Sequence, residues 1–440
     1  MSKRDLERMR RADLMGLERR GRRTMGRQSG RRNLYVRADT QPLYSRKRKG
    51  KPSFAQLILI IVVVLALAGG GAYLIFGKGR GKLSLKTGST ESSSTASGSA
   101  KAAKKSAAAA QPTQKSEPAP APKTRPIVSF AAVGDLCFMN SSHQSLGTAA
   151  SLLSSMKSQL SAADVTLGNL EIALTSNGQA QDKTYTFRAP LTDAAGVAQA
   201  GFDVVSVANN HALDYGRTQL SPELDKLDQA GLTYVGGGLN KQEAWAVKSV
   251  KRNGATIGFL AFSEITPSNY AATDTDPGVA YTQDIGAMTA AVAAAKASKS
   301  YDYLLVIMHW GIEGDYQDNQ RQSAEAHALI DAGADAVIGS HPHRIQGVEY
   351  YKNGLIAYSL GNFVFGTFKE PSCQTMLLNF QLTDAGPAAV TATPVYIDRG
   401  TPKVATGDQF NKIATIIKSS SAACGTPVSF DNGIASFNKK

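Results

Sequence analysis

From Ile127 onward, short runs rich in β-branched and aromatic residues alternate with helix-like stretches, and most of these runs stop in a cluster of polar residues. The runs are IVSFAAVGD, DVTLGNLE, DVVSVANNH, ATIGFLAFSE, YDYLLVIMHWG and ADAVIGSHPH. Helix-like stretches fall at 147–162, 192–200, 217–230, 285–299 and 318–333. That alternation predicts α/β layering with buried strands. Further on, VEYYKNGLIAYSL, TMLLNFQL and AVTATPVYI follow one another with little helix between them. A mixed or two-sheet α/β architecture is therefore expected, rather than one doubly wound sheet. About 310 residues are ample for one large core.

The chemistry is concentrated where the runs end. Gly134-Asp135 closes the first and Gly168-Asn169-Leu170-Glu171 the second. Asn209-Asn210-His211, His309-Trp310-Gly311 and Ser340-His341-Pro342-His343 close three others, so four of the six His of the chain lie in these clusters. In α/β sheets the carboxyl ends of the strands converge on one crevice, which brings distant residues together. A single His on such a strand is more often a satisfied core residue than a ligand. Asp135, Glu171, Asn210, His309, His341 and His343 after separate strands form a joint pattern that the bland reading does not cover. An O/N donor set of this kind suits Zn²⁺, Mn²⁺ or Fe, one ion or two, and not a thiolate site.

The formal charge of +14 invites a nucleic-acid reading until it is divided along the chain. Residues 1–52 carry 18 Lys and Arg against 5 Asp and Glu, and residues 53–126 carry 10 against 2. The remainder is net −7, so no nucleic-acid partner is expected for the globular part. Phe54 to Phe76 is a run of 23 uncharged residues. As a helix it spans about 35 Å, enough for a bilayer core with some tilt, and segment 53–76 is read as an uncleaved anchor. Arg46, Lys47, Arg48, Lys49 and Lys51 crowd its upstream flank. The basic side stays cytoplasmic, so the expected protein is single-pass in the cell membrane, with its C-terminal domain extracellular. The tail 1–52 is expected to adhere to anionic lipid. Residues 77–126, dominated by Ser, Ala, Lys, Gly and Pro, read as a disordered stalk; 50 flexible residues reach about 40 Å.

The segments GDLCFMN, GNLEIALT, ANNHALDYG, HWGIEG, GSHPHRIQ and YSLGNFVFG resemble the CapA family of capsule-synthesis proteins, named for poly-γ-glutamate production and related to calcineurin-like metallophosphoesterases. The resemblance covers about 127–400 and leaves 401–440 as a segment packed on or trailing that domain. It implies a four-layer αββα sandwich with a two-metal site at one sheet edge. It further implies that Asp135 and His343 hold the first metal, and that Asn210, His309 and His341 hold the second. Glu171 is taken as the bridging carboxylate in preference to Asn169, because a bridge between two cations needs negative charge. His211 is implied as proton donor, oriented by Asp214. Cys137 stands where the related superfamily has a metal-binding His, which weakens the first site and keeps single-metal occupancy open. Cys137 itself is read as a buried structural thiol.

The function implied is capsule, poly-γ-glutamate or envelope-polymer biosynthesis through a metal-dependent hydrolase or transferase site. Two alternatives stand beside it: a phosphoesterase unrelated to capsule, and a non-catalytic assembly scaffold. Other capsule-synthesis membrane proteins and an envelope polymer are the expected partners. Arg344, Arg321 and Arg188 are candidates to offset the acidity of the domain toward a polyanion. Glu313 and Asn362 are candidates near the site, as is Trp310, for which a core role is equally expected; Trp245 reads as core. Cys373 and Cys424 are a candidate disulfide on the expected extracellular side. No P-loop, Gly-x-Ser-x-Gly elbow or dinucleotide fingerprint occurs.

Overall fold

The computed structural model describes residues 124–366 and 370–439. The expected basic tail, the anchor at 54–76 and the stalk up to residue 123 lie outside the described residues. Among the described residues, no helix is long and apolar enough to cross a membrane.

The strands relevant here begin with β1 (Val128–Asn140), β2 (Val165–Leu170), β3 (Val204–Ser206) and β4 (Thr233–Val235). Next come β5 (Lys248–Arg252), β6 (Ala255–Ser263), β7 (Tyr303–His309) and β8 (Ala336–Ser340). They continue with β9 (Val348–Tyr351), β10 (Gly354–Ala357), β11 (Asn362–Gly366) and β12 (Gln374–Thr383). The last are β13 (Gly386–Asp398), β14 (Thr401–Val404), β15 (Val428–Asp431) and β16 (Ile434–Phe437). The main helices are α1 (Ala149–Leu153), α2 (Asp193–Gln199), α3 (Leu220–Gln229), α4 (Ile285–Ala297), α5 (Gln320–Asp331) and α6 (Gly407–Ala423).

Two mixed sheets result. The larger runs β15-β16-β13-β12-β1-β2-β3-β4, with β11 beside β1 and β14 beside β13; the smaller runs β9-β10-β8-β7-β6-β5. Alternate residues of both sheets, among them Phe130, Leu167, Phe259, Leu305 and Ile338, share one buried core. The opposite face of the larger sheet packs Val133 and Val205 against Leu153, Val197 and Leu224 of α1 to α3. The outer face of the smaller sheet packs Leu304, Val306 and Val337 against Met288, Val292 and Leu329 of α4 and α5. Strands covered on both faces need apolar residues at every position, which is why these runs read as continuous rather than alternating. Each fully buried Leu, Val or Phe is worth roughly 1.5–3 kcal/mol. Helix entry is encoded locally: Asn319 and Gln322 form a capping box at α5, and Asp284 caps α4.

Of the two expectations for 401–440, packed on the domain or trailing it, residues 401–439 follow the first: β14 pairs with β13, and β16 joins β15 to β13 in the larger sheet. Ile413 and Ile417 of α6 enter the shared core. The folded part also begins slightly earlier than expected. Arg125 donates to Asp384 through its backbone N and Nε, to Asp335 and the Asp302 carbonyl through Nη1, and to the Thr383 carbonyl through Nη2. Tyr303 seals the arrangement by donating to the Pro126 carbonyl at 2.8 Å.

The expected Cys373–Cys424 disulfide is absent: neither sulfur is in a disulfide. Cys424, at the end of α6, donates to Asp318 Oδ1 at 3.3 Å. Cys373 is buried just before β12, where it interacts with Tyr396. Trp310 is a core residue, fully buried and donating to the Tyr358 carbonyl at 2.9 Å. Trp245 packs edge-on against Phe262.

Candidate metal centre

The carboxyl ends of the parallel strands of both sheets meet at one place. Asp135 sits where β1 changes neighbours: residues up to Ala132 pair antiparallel with β12, and from Asp135 on the strand pairs parallel with β11. Gly134 permits this, because a Cβ there would lie 1.7 Å from the Gly361 carbonyl oxygen, which accepts the Asp135 backbone N–H at 3.0 Å. Across the ladder Asp135 is in register with Asn169, and Asn169 with Ser206. In the smaller sheet His309 is in register with Ser340. The chain then turns through His341 and His343, both at positive φ (94° and 53°). A non-glycine residue held there costs of order 1–3 kcal/mol, and such strain clusters at functional sites.

Side chains from the two sheets interlock across the gap. His343 Nδ1 is 2.8 Å from Asn362 Oδ1 and 3.2 Å from Asp135 Oδ2. Asn362 in turn donates to the Ser372 carbonyl. His309 Nε2 lies 3.0 Å from Asn210 Oδ1 and 3.7 Å from Glu171 Oε1. Its Nδ1 lies 3.2 Å from Ser340 Oγ. The His309 and His341 rings are 4.7 Å apart. Asn169 is fully engaged: its amide donates to Asp135 Oδ1 at 2.9 Å, and its oxygen accepts from Asn209. Asn169 therefore braces the acidic group and leaves the ligand role to others.

Glu171 is different. It is fully buried, and neither carboxylate oxygen accepts a hydrogen bond. Burial, with the nearby Asp135 charge, pushes its carboxyl well above the usual carboxylate range. Buried unpartnered carboxylates are costly unless a cation satisfies them. Glu171 belongs to two sets whose donor atoms all lie within 4.8 Å of one another, Asp135–Glu171–His343 and Glu171–His309–His341. A third set joins Glu313 to His341 and His343. The imidazoles are poised for ligation. Burial, followed by the neighbouring His residues, holds His309 well below its ordinary value. Burial and His343 push His341 down to about 3, and His341 Nδ1 has no hydrogen-bond partner. Burial alone would lower His343 too, but its hydrogen bond and attraction to Asp135 raise it. The donors suit a divalent cation; they do not select one.

Beside this centre opens a cleft of about 480 Å³, lined in part by His211, Glu313, His343, Tyr185, Phe187 and Phe365. His211 Nδ1 is 2.6 Å from Asp214 Oδ2, leaving Nε2 as the free ring nitrogen. Asp214 is fully buried; it accepts the Phe187 backbone N–H and bonds Lys183 Nζ, both at 2.7 Å. Lys183 also donates to the Asn210 carbonyl at 2.6 Å. Burial keeps His211 below its ordinary value despite the Asp214 contact.

The remaining candidates separate. Cys137 is packed in the core beneath the helices, its Sγ 3.6 Å from the Met139 carbonyl oxygen, and it joins none of the metal-capable sets. Burial drives its thiol well above the ordinary value. Arg344 donates to the His343 carbonyl at 2.8 Å and so braces that turn. Arg321 is paired with Glu264 and Glu325, and Arg188 lies over the Tyr215 ring. None of the three arginines lines the cleft. Lys183 and Asn209 were not on the sequence-based list. Asn209 was adjacent to a candidate, whereas Lys183 lies in a polar loop that carries no periodic signal.

The family described as bacterial capsule synthesis protein PGA_cap matches residues 129–367, more than half the chain. The chain belongs to that family. As a PGA_cap protein it is 34% identical over 232 residues to the capsule biosynthesis protein CapA of Bacillus anthracis, covering 52% of this chain and 56% of that protein. It is 33% identical over 260 residues to the PGA biosynthesis protein CapA of Bacillus subtilis (strain 168), covering 58% and 67%. Among solved structures, the NAD nucleotidase of Haemophilus influenzae aligns at a TM-score of 0.41 and 14% identity, over 67% of this chain and 56% of that one. A likeness that loose carries no argument. Asp135, Glu171, Asn210, His211, His309, His341 and His343 all fall within the matched residues 129–367.

Proposed function

We propose that this PGA_cap protein is a membrane-anchored, extracellular participant in the synthesis of poly-γ-glutamate or a related envelope polymer, and that it acts through a metal-dependent hydrolase or transferase site in an αββα sandwich. Its two CapA relatives are named for capsule and PGA biosynthesis, which supports the polymer class. The observation that carries the chemistry is Glu171, buried, accepting no hydrogen bond and common to two donor sets. Asp135, Glu171 and His343 would hold one divalent ion; Glu171, His309, His341 and Asn210 would hold a second, with Glu171 as the bridge. Bound there, such ions supply Lewis acidity and a water of lowered pKa.

The chain's own residues would do the rest. Asn362 and Asp135 hold His343 by Nδ1, so that Nε2 presents its lone pair. Asp214 holds His211 by Nδ1, and Lys183 with the Phe187 backbone fixes Asp214. With Nδ1–H held by Asp214, His211 Nε2 can take up a proton from solvent and hand it to a leaving group in the cleft. The test is metal analysis of the purified protein, with Mn²⁺- or Zn²⁺-dependent turnover of phosphoesters and of γ-linked glutamyl oligomers compared between wild type and His309→Ala. Stoichiometric metal and His309-dependent turnover support the reading. A protein that holds no metal would leave an assembly scaffold in its place.

A further inference from the structure

We infer that Glu313 is a displaceable carboxylate cap on this centre, which an incoming oxyanion, carboxylate or phosphate, must replace. The inference rests on the metal-centre reading above. Glu313 differs from every other member of the donor sets in being exposed. Its carboxylate nevertheless lies within 4.8 Å of donor atoms on both His341 and His343. Those two His belong to different triads, so Glu313 stands over the open side of the centre rather than behind either half. A second observation points the same way: His341 is 3% exposed, and its Nδ1 has no hydrogen-bond partner.

The backbone around Glu313 is held in place while its side chain is exposed. Gly311 and Gly314 flank it at positive φ (84° and 83°), and the Gly314 N–H bonds the Pro342 carbonyl at 2.9 Å. This ties the Glu313 loop to the His341–His343 turn. Gly314 itself faces open space, with nothing within 4 Å of an added Cβ. Glu313 also lines the cleft with His211 and His343, and the described lining holds no Lys or Arg. An anionic group entering the cleft therefore meets the Glu313 charge, which no Lys or Arg among the described lining residues offsets and bound cations would. Binding and removal of the cap become one event, because both compete for the same coordination positions.

The experiment titrates the purified full-length chain with Mn²⁺ alone, then titrates the Mn²⁺-loaded protein with inorganic phosphate, for wild type, Glu313→Gln and Glu313→Ala. Loss of a metal-site carboxylate is expected to weaken Mn²⁺ binding about tenfold or more. Phosphate should bind the loaded variants several-fold more tightly than wild type. The isosteric Gln variant guards against a folding defect in the Ala variant. Unchanged Mn²⁺ and phosphate affinities overturn the inference. So does weaker phosphate binding in both variants, which makes Glu313 a fixed ligand. A wild-type protein that binds no Mn²⁺ removes the metal-centre reading itself, a result distinct from the other two.

Discussion

Replacing Glu171 with Gln should move stability in opposite directions depending on metal. Without metal, wild type buries a carboxylate that accepts no hydrogen bond and faces Asp135. Its folded-state pKa is raised above the ordinary 4.5, so the native state holds a proton that the unfolded chain releases, and stability falls as pH rises above that value. The slope from one such group approaches about 1.4 kcal/mol per pH unit. Glutamine keeps the shape, cannot ionise and places a donor beside Asp135, so the metal-free variant should equal or exceed wild type at pH 7. With Mn²⁺ at a hundred times its dissociation constant, wild type should gain about 2.7 kcal/mol. On the scale of a 150–250-residue domain this is roughly 5–10 °C in Tm, and somewhat less for this larger one. The variant should gain little, having lost the residue common to both triads. Thermal melts of both proteins in EDTA and in Mn²⁺ provide the readout. Equal Mn²⁺ responses, or a metal-free variant more than about 2 kcal/mol below wild type, would refute the reasoning.

Three further outcomes are expected. His211→Asn should keep its metal content yet lose about 10²–10⁴ in kcat on any substrate found, as for a missing general acid; a matching loss of metal would make His211 a structural element of the centre. Glu223 is buried in α3, and burial raises its pKa to about 8, so Glu223→Gln should match wild type near pH 4.5 and exceed it by a few kcal/mol near pH 8 in urea melts. A stability difference that does not vary with pH would contradict this assignment. Because Cys373 and Cys424 form no disulfide, thiol titration of the denatured chain should return the same count with and without reductant, and a count that rises with reductant would restore the disulfide.

The strand ends were legible because a buried run of apolar residues has no reason to stop in Asp, Asn or His unless those groups meet something polar. This brought Asp135, Glu171, Asn210, His309, His341 and His343 into view without knowledge of how the sheets face each other. Glu171 was preferred to Asn169 on charge alone, and the coordinates add that the Asn169 amide is hydrogen-bonded on both sides whereas neither Glu171 oxygen accepts a hydrogen bond. Lys183 was invisible because its meaning lies 31 residues away, at Asp214. The supposed disulfide failed for a related reason: a cysteine interval measures chain length, while pairing depends on where α6 and the start of β12 end up. The C-terminal strands were missed because β14, β15 and β16 are four residues each, too short for a reliable alternation.

The Arg125 cluster bears on how the domain would respond to being pulled. Its partners Asp302 and Asp335 precede β7 and β8, whereas His309 ends β7 and His341 follows β8. Seven extended residues of β7 put about 20 Å between the two ends. Tension applied at Thr124 would be taken up first by the guanidinium and backbone bonds to Asp302, Asp335, Thr383 and Asp384. The parallel strands beyond would act as a stiff beam, so that tugging on the upstream chain reaches the candidate metal centre last.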